Sequence, residues 1–288
     1  MLATSTAPIT EGARVYFVGH SFHMFVVRPL IYLAREAGVK GHWAEGWDMI
    51  GGSTPMQHWE RNGDDNEPKK ALATGRVQAL TLASNVLVPE PAIDLFADLA
   101  VEHNPDVRVL VQHSWGDAAT GMIMRARHAG QAATGAIPTN EDRDGVTAAE
   151  LAASRASNQA QRDKLAAQLD DINARHQKPV ASLVPVSDAV IRLRQAVVAG
   201  DLPGVVRQSE LFRDPLGHAT QPTMDLVCYV WLAALYRQSP IGLTSLVDAD
   251  DADSKARQAV LQELAWETVL DEPKSGLKIG VDAGQESG

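Results

Sequence analysis

Ser21 sits in the stretch Val15 to His23, Val-Tyr-Phe-Val-Gly-His-Ser-Phe-His. β-prone residues run into Gly19, and from Met24 to Ala37 apolar residues recur at helical spacing up to Gly38. This pattern predicts a buried strand, a tight turn and a helix over about 22–37. It places Ser21 where outward-pointing N–H groups and a helix dipole favour negative charge. A serine oxygen there is positioned to attack a carbonyl, with neighbouring amides to hold the oxyanion. Serine is also a common helix N-cap, so the stretch alone leaves nucleophile and cap both open.

The elements around this turn alternate strand with helix. Strands are expected at about 14–18, 42–47, 77–83, 107–112 and 180–186. Helices are expected at 91–103, 147–176, 187–198, 224–236 and 252–270, with a short one at 57–60. Residues 61–75 read as a polar loop, 116–146 as a long irregular loop, and the tail after Pro273 as loose. Parallel strands need crossovers of this length. The predicted class is α/β: a flavodoxin-like three-layer α/β/α sandwich on a mainly parallel five-stranded sheet, formed by 1–288 as one domain. Ligands of such sheets bind at the carboxyl ends of the strands. That rule gathers Ser21, Gly51/Gly52, Asn85, His113 and Trp115 on one surface.

Composition narrows the function classes. Of 288 residues, 45% are hydrophobic and 22% charged, the balance of a globular protein. A net charge of −10 argues against nucleic acid or an anionic membrane as main partner. No stretch of about 18 apolar residues is present to span a bilayer. The first ten residues lack the basic and apolar regions of a signal peptide, so the default expectation is a cytoplasmic protein. The single cysteine, Cys228, lies in an apolar helical pattern and reads as a buried small hydrophobe.

Taken in chain order, Gly19-His20-Ser21, Gly51-Gly52, Ser84-Asn85 and Asp214 to His218 follow successive predicted elements. This order of Ser, Gly, Asn and a carboxylate with His resembles the SGNH (GDSL-like) hydrolase family over roughly residues 14–236. The resemblance implies Ser21 as nucleophile, His218 as base and Asp214 as the residue that orients it. It implies an oxyanion hole from the N–H of Ser21, the N–H of Gly52 (or Gly51) and the side-chain amide of Asn85. The chain departs from the family pattern at three places. His20 stands where Asp or Asn is usual. Ala83 and Val86 flank the Ser84-Asn85 pair where Gly and often Asp are found. Three residues separate Asp214 from His218, one more than usual, and Pro215 and Gly217 mark a turn able to absorb it.

The chemistry fits those residue types. A serine hydroxyl needs a base within reach, histidine titrates near neutrality, and a carboxylate on the far ring nitrogen fixes its tautomer. The Gly-x-Ser-x-Gly elbow of α/β-hydrolases is absent around Ser21. His20, Trp47, Trp59, His113 and Trp115 cluster near predicted strand ends and are expected to line a substrate pocket. Flat aromatic walls suit sugar rings and acyl groups, so the expected partner is a small-molecule or saccharide ester, an O-acetylated carbohydrate in particular, with no cofactor. Two other classes remain open. One is a metal-dependent hydrolase with zinc held by His20, His23 and His113 together with Asp48 or His218. The other is a non-catalytic ligand-binding module. The sequence does not fix an oligomeric state.

Overall fold

The structure is a computed structural model that describes residues 7–85, 88–116, 139–244 and 251–277. Five strands form one parallel sheet: β1 (Arg14–Gly19), β2 (Trp43–Met49), β3 (Ala79–Ala83), β4 (Arg108–Gln112) and β5 (Ala181–Val184). Their order is β2-β1-β3-β4-β5, and every neighbouring pair is parallel. The α-helices are α1 (Val27–Glu36), α2 (Pro55–Trp59), α3 (Glu67–Ala73), α4 (Pro91–His103), α5 (Asn140–Asp144), α6 (Ala148–His176), α7 (Val186–Ala199), α8 (Gln221–Tyr236) and α9 (Ala252–Leu270).

Alternate strand residues feed two cores, as the two-residue period of a strand requires. Val15, Phe17, Leu110 and Val184 pack with α1, α7, α8 and α9. Tyr16, Val18, Leu80, Leu82, Val109 and Val111 pack with α3, α4 and α6. The result is the three-layer α/β/α sandwich expected from the strand–helix alternation. Buried on both faces, β3 (Ala-Leu-Thr-Leu-Ala) reads as a near-continuous apolar run.

Several local expectations are corrected. The first helix does not start at Phe22. Residues 20–23 form a turn in which the carbonyl of His20 accepts from the N–H of both His23 (2.9 Å) and Met24 (3.1 Å). A 3₁₀ segment (Met24–Val26) comes next, and only then α1. Ser21 thus lies two residues ahead of His23, the N-cap of the 3₁₀ segment, and caps no helix itself. The polar loop at 61–75 contains α3, whose N-cap Asn66 accepts from the N–H of Lys69 (3.0 Å) and whose Pro68 sits in the first turn. Within 116–146, residues 117–138 lie outside the described residues, and α5 occupies 140–144 behind a Thr139–Asp142 capping box. Just past Pro273, the Lys274 carbonyl accepts from the Leu183 N–H (2.8 Å), pinning that part of the tail to β5.

Candidate functional site

Strand order places the site. It reverses at β1, which has β2 on one side and β3 on the other, so the crevice of the sheet opens at the carboxyl ends of β1 and β3. The chain leaves β1 through Gly19, and a Cβ there would lie 2.7 Å from Cβ of Ala83 on β3. One member of that pair must be glycine, and here it is the β1 member. The following turn is held by His20: its Nδ1 accepts from the Phe22 N–H (3.2 Å) and its Nε2 donates to the Ser84 carbonyl (3.3 Å). Burial lowers the His20 pKa to about 4, so the ring is neutral and serves as a spacer between β1 and β3. The turn leaves Ser21 partly exposed at the mouth of the crevice.

His218 reaches Ser21 from a loop 197 residues downstream. Its Nε2 lies 2.8 Å from Ser21 Oγ, and its Nδ1 lies 2.6 Å from Asp214 Oδ2. Asp214 Oδ1 also accepts from the His218 backbone N–H at 3.1 Å. With Nδ1–H given to the carboxylate, Nε2 is left to accept from the serine hydroxyl. The three-residue spacing is absorbed by a turn: the Gly217 N–H donates to the Asp214 carbonyl (3.1 Å), and Gly217 takes φ 86°. The antiparallel bridge Phe212–Ala219 closes the base of the loop. Burial pushes the Asp214 carboxyl up, but hydrogen bonds from the His218 backbone and ring outweigh it and hold the group below the usual carboxylate range. Asp214 is thus ionised beside the imidazole at neutral pH.

The loop carrying His218 is braced by aromatics. Trp115 Nε1 donates to the Gly217 carbonyl (2.9 Å). Its ring stacks on Phe22 at 4.5 Å with an 8° interplanar angle, and Phe22 in turn meets His218 edge-on at 5.1 Å. From the other side Arg143 of α5 donates to the Pro215 carbonyl and lies over the Phe212 ring.

The β2 end contributes the turn Ile50 to Ser53. The Ile50 N–H donates to the Gly19 carbonyl (3.1 Å), which ties this turn to the strand that presents Ser21, and the Ser53 N–H donates to the Ile50 carbonyl (3.3 Å). Gly52 takes φ 63°, as the third position of a type II turn demands. Neither the Gly52 N–H nor the Ser21 N–H is satisfied by another group among the described residues. Asn85, at the end of β3, turns its amide nitrogen to the carbonyls of Gly52 (3.1 Å) and Ser53 (3.2 Å). Its side chain therefore binds this turn, and lending an N–H to an oxyanion means releasing one carbonyl.

The remaining residues singled out from the sequence do not share one wall. Trp47 is 61% exposed on β2. Trp59 packs edge-on against Phe96 at 5.0 Å, with the Lys69 ammonium 3.8 Å over its ring. Trp115 is buried as the brace just described. His113 is buried and lines a cavity of about 480 Å³ together with Trp115, Arg143, Asn158, Ser187 and Gly217. Its Nδ1 has no partner among the described residues, and burial lowers its pKa to about 4. His23 is a core residue: Nε2 meets Thr81 Oγ1 (2.8 Å), Nδ1 meets Gln112 Oε1 (3.3 Å), and the ring lies 4.7 Å from that of Trp231. No three His, Cys, Asp or Glu side chains converge among the described residues in a way that could hold a metal ion. The ligand set sketched for zinc is dispersed over at least three neighbourhoods.

Sequence reasoning missed Phe22 and Arg143 as supports of the His218 loop. It also missed a buried contact set next to Gly52, in which His58 joins Ser53 to Asp48.

No family model and no curated protein matches the chain. Among solved structures, the chain is similar to a DUF4886 family protein from Bacteroides uniformis ATCC 8492: 14% identity, 90% of this chain and 95% of that one covered, TM-score 0.51. It is also similar to a "putative GDSL-like lipase" from Parabacteroides merdae ATCC 43184: 11% identity, 79% and 97% covered, TM-score 0.44. At such identities the first likeness bears on the fold, a three-layer α/β/α sandwich, and on nothing finer.

Proposed function

We propose that the protein is a serine hydrolase of the SGNH kind that cleaves an ester, with Ser21 as nucleophile, His218 as general base and Asp214 as the group that orients it. One observation carries this reading: the continuous hydrogen-bonded line from Ser21 Oγ through both nitrogens of His218 to an ionised Asp214, assembled from two ends of the chain at the crevice of the sheet. In the reaction, His218 Nε2 takes the Ser21 proton as Oγ bonds to the acyl carbon. Asp214 stabilises the imidazolium, which then protonates the leaving alcohol. A water activated by the same nitrogen releases the acid and regenerates Ser21. The N–H groups of Ser21 and Gly52 are the oxyanion donors, and Asn85 joins them by giving up one of its carbonyl bonds. Each such donor is worth about 10²–10³ in rate.

For the substrate we favour an O-acetylated carbohydrate. Trp47 presents an exposed indole on the strand leading to the Gly51-Gly52 turn, a flat surface of the kind sugar rings stack on. Trp59 and Trp115 are occupied by protein contacts and make no stacking surface in this proposal.

The test is covalent labelling with a fluorophosphonate, together with release of p-nitrophenol from p-nitrophenyl acetate and of acetate from acetylated xylan. Labelling and turnover that vanish in Ser21→Ala support the proposal. A wild-type protein that is neither labelled nor active leaves the reading of a non-catalytic binding module.

A further inference from the structure

The chain holds a second Ser-His-Asp line. Ser53 Oγ lies 2.7 Å from His58 Nε2, and His58 Nδ1 lies 2.6 Å from Asp48 Oδ2. The distances match those at Ser21, but accessibility separates the two lines. The side chains of His218 and Asp214 are 19% and 33% exposed, whereas those of His58 and Asp48 are 1% and 9% exposed. Ser53 is also buried. No substrate reaches Ser53, so this line is not a second catalytic centre.

Its place in the fold gives it another use. Ser53 directly follows Gly52 and closes the Ile50–Ser53 turn. A turn with two adjacent glycines has wide backbone freedom, and Gly52 is held in a left-handed conformation. An oxyanion donor is effective only if its N–H is already aimed, because reorientation during the reaction cancels the gain. We infer that Asp48, His58 and Ser53 are positioning residues that lock the Gly51-Gly52 turn so that the Gly52 N–H faces the oxygen of the carbonyl attacked by Ser21.

The line is itself anchored. Asp48, on β2, accepts from Arg61 as well as from His58. His58, on α2, is fixed by the Thr54–Gln57 capping box and by Asn66 Nδ2, which donates to the His58 carbonyl (2.9 Å). Asn85 grips the same turn from the β3 side, through the carbonyls of Gly52 and Ser53. The turn is thereby clamped between a side-chain relay on one side and a carboxamide on the other. Burial lowers the pKa of His58. A neutral ring with its proton on Nδ1 toward Asp48 accepts the Ser53 hydroxyl proton on Nε2, which keeps the relay in one hydrogen-bonded state.

This inference rests on the proposed esterase reading. The experiment measures kcat, KM, the pH profile of kcat/KM and Tm for Ser53→Ala, His58→Gln and Asp48→Asn on p-nitrophenyl acetate, well below each Tm. A tenfold or greater loss in kcat is expected for Ser53→Ala, with KM within twofold and the ascending pH limb unmoved, because His218 is untouched. Ser53→Ala/Asp48→Asn should be no slower than the worse single variant, since the relay acts as a unit. Wild-type kcat in Ser53→Ala, whatever its Tm, overturns the inference and leaves the role of Ser21 standing. An inactive, unlabelled wild type overturns the parent reading instead. Should His58→Gln or Asp48→Asn fail to fold, Ser53→Ala, which removes one buried hydroxyl, decides the matter alone.

Discussion

Replacing Asp214 by asparagine tests the relay at its least protected point. The carboxylate makes two bonds to one residue, Oδ2 with the ring Nδ1 at 2.6 Å and Oδ1 with the backbone N–H at 3.1 Å. Asparagine cannot accept both. If its oxygen stays with the backbone N–H, its amide faces Nδ1 and drives the ring proton to Nε2, where it confronts Ser21 and abolishes the base. If the amide flips, the ring keeps its tautomer but the backbone N–H is stranded. The variant therefore loses a charge-assisted bond worth about 1.5–3 kcal/mol and pays about 1 kcal/mol more for whichever partner is left out. At 1.36 kcal/mol per decade, this sum of about 2.5–4 kcal/mol predicts a fall in kcat of roughly 10²–10³. The side chain is 33% exposed, so water partly screens the loss, and the effect should fall short of the ~10⁴ typical where the aspartate is sealed in. The assay is steady-state hydrolysis of p-nitrophenyl acetate, with Tm as the control for folding. A folded Asp214→Asn enzyme within threefold of wild type refutes the orienting role and, with it, the reading of the line as a catalytic relay.

Three further outcomes follow from the geometry. Trp115→Phe keeps the stack on Phe22 but deletes the bond to the Gly217 carbonyl, so kcat should fall about 3–10-fold, one hydrogen bond's worth, while the smaller buried ring lowers Tm by a few degrees; an unaltered kcat removes Trp115 from the support of His218. Burial lowers the pKa of His20, His42 and His113 to about 4 and of His23 to about 3. Between about pH 6.5 and 4 the unfolded chain therefore binds protons that the folded one refuses, and stability is lost as pH falls through that window; a flat Tm from pH 7 to 4.5 contradicts this. Asp225 has the opposite sign. Burial raises its pKa to about 6, so the stability it contributes is present at low pH and lost as pH rises through 6. Asp225→Asn, which keeps an acceptor for Gln221, should raise Tm by about 2–4 °C at pH 8, by less at pH 5, and not at all below the ordinary carboxylate pKa of 3.8.

What the sequence showed depended on whether one local signal dominated. Helix α4 was legible to the residue, because Pro91 opens it, Ile93, Phe96 and Leu99/Ala100 recur on one face, and Asn104-Pro105 ends it. Helix α3 was hidden by its charge: Asp64 to Lys70 reads as a polar loop, although the Asn66 cap and Pro68 in the first turn were visible signals. At Ser21 the pattern pointed to the right turn and the wrong continuation. Phe22 looks like the first apolar residue of a helix, but its ring is drawn into the Trp115 stack and its N–H is taken by His20, so α-helix begins only at Val27.

Histidine is where sequence reasoning reached its limit. His20, His23, His58 and His113 sit at strand ends or in the segments after them and His218 just ahead of α8, and nothing in their spacing says which ring faces solvent. Contacts made at long range decide it. His23 is buried by Trp231, more than two hundred residues away, whose indole N–H also donates to the same Gln112 oxygen that His23 meets. His58 is enclosed by a serine, an aspartate and the N-cap of α3. His218 alone of these five is joined to a partly exposed serine. The same three residue types thus occur twice beside one turn, once sealed and once open. The chemistry assigned to each follows from that difference in solvent access, a property set by how helices from opposite ends of the chain close over the sheet.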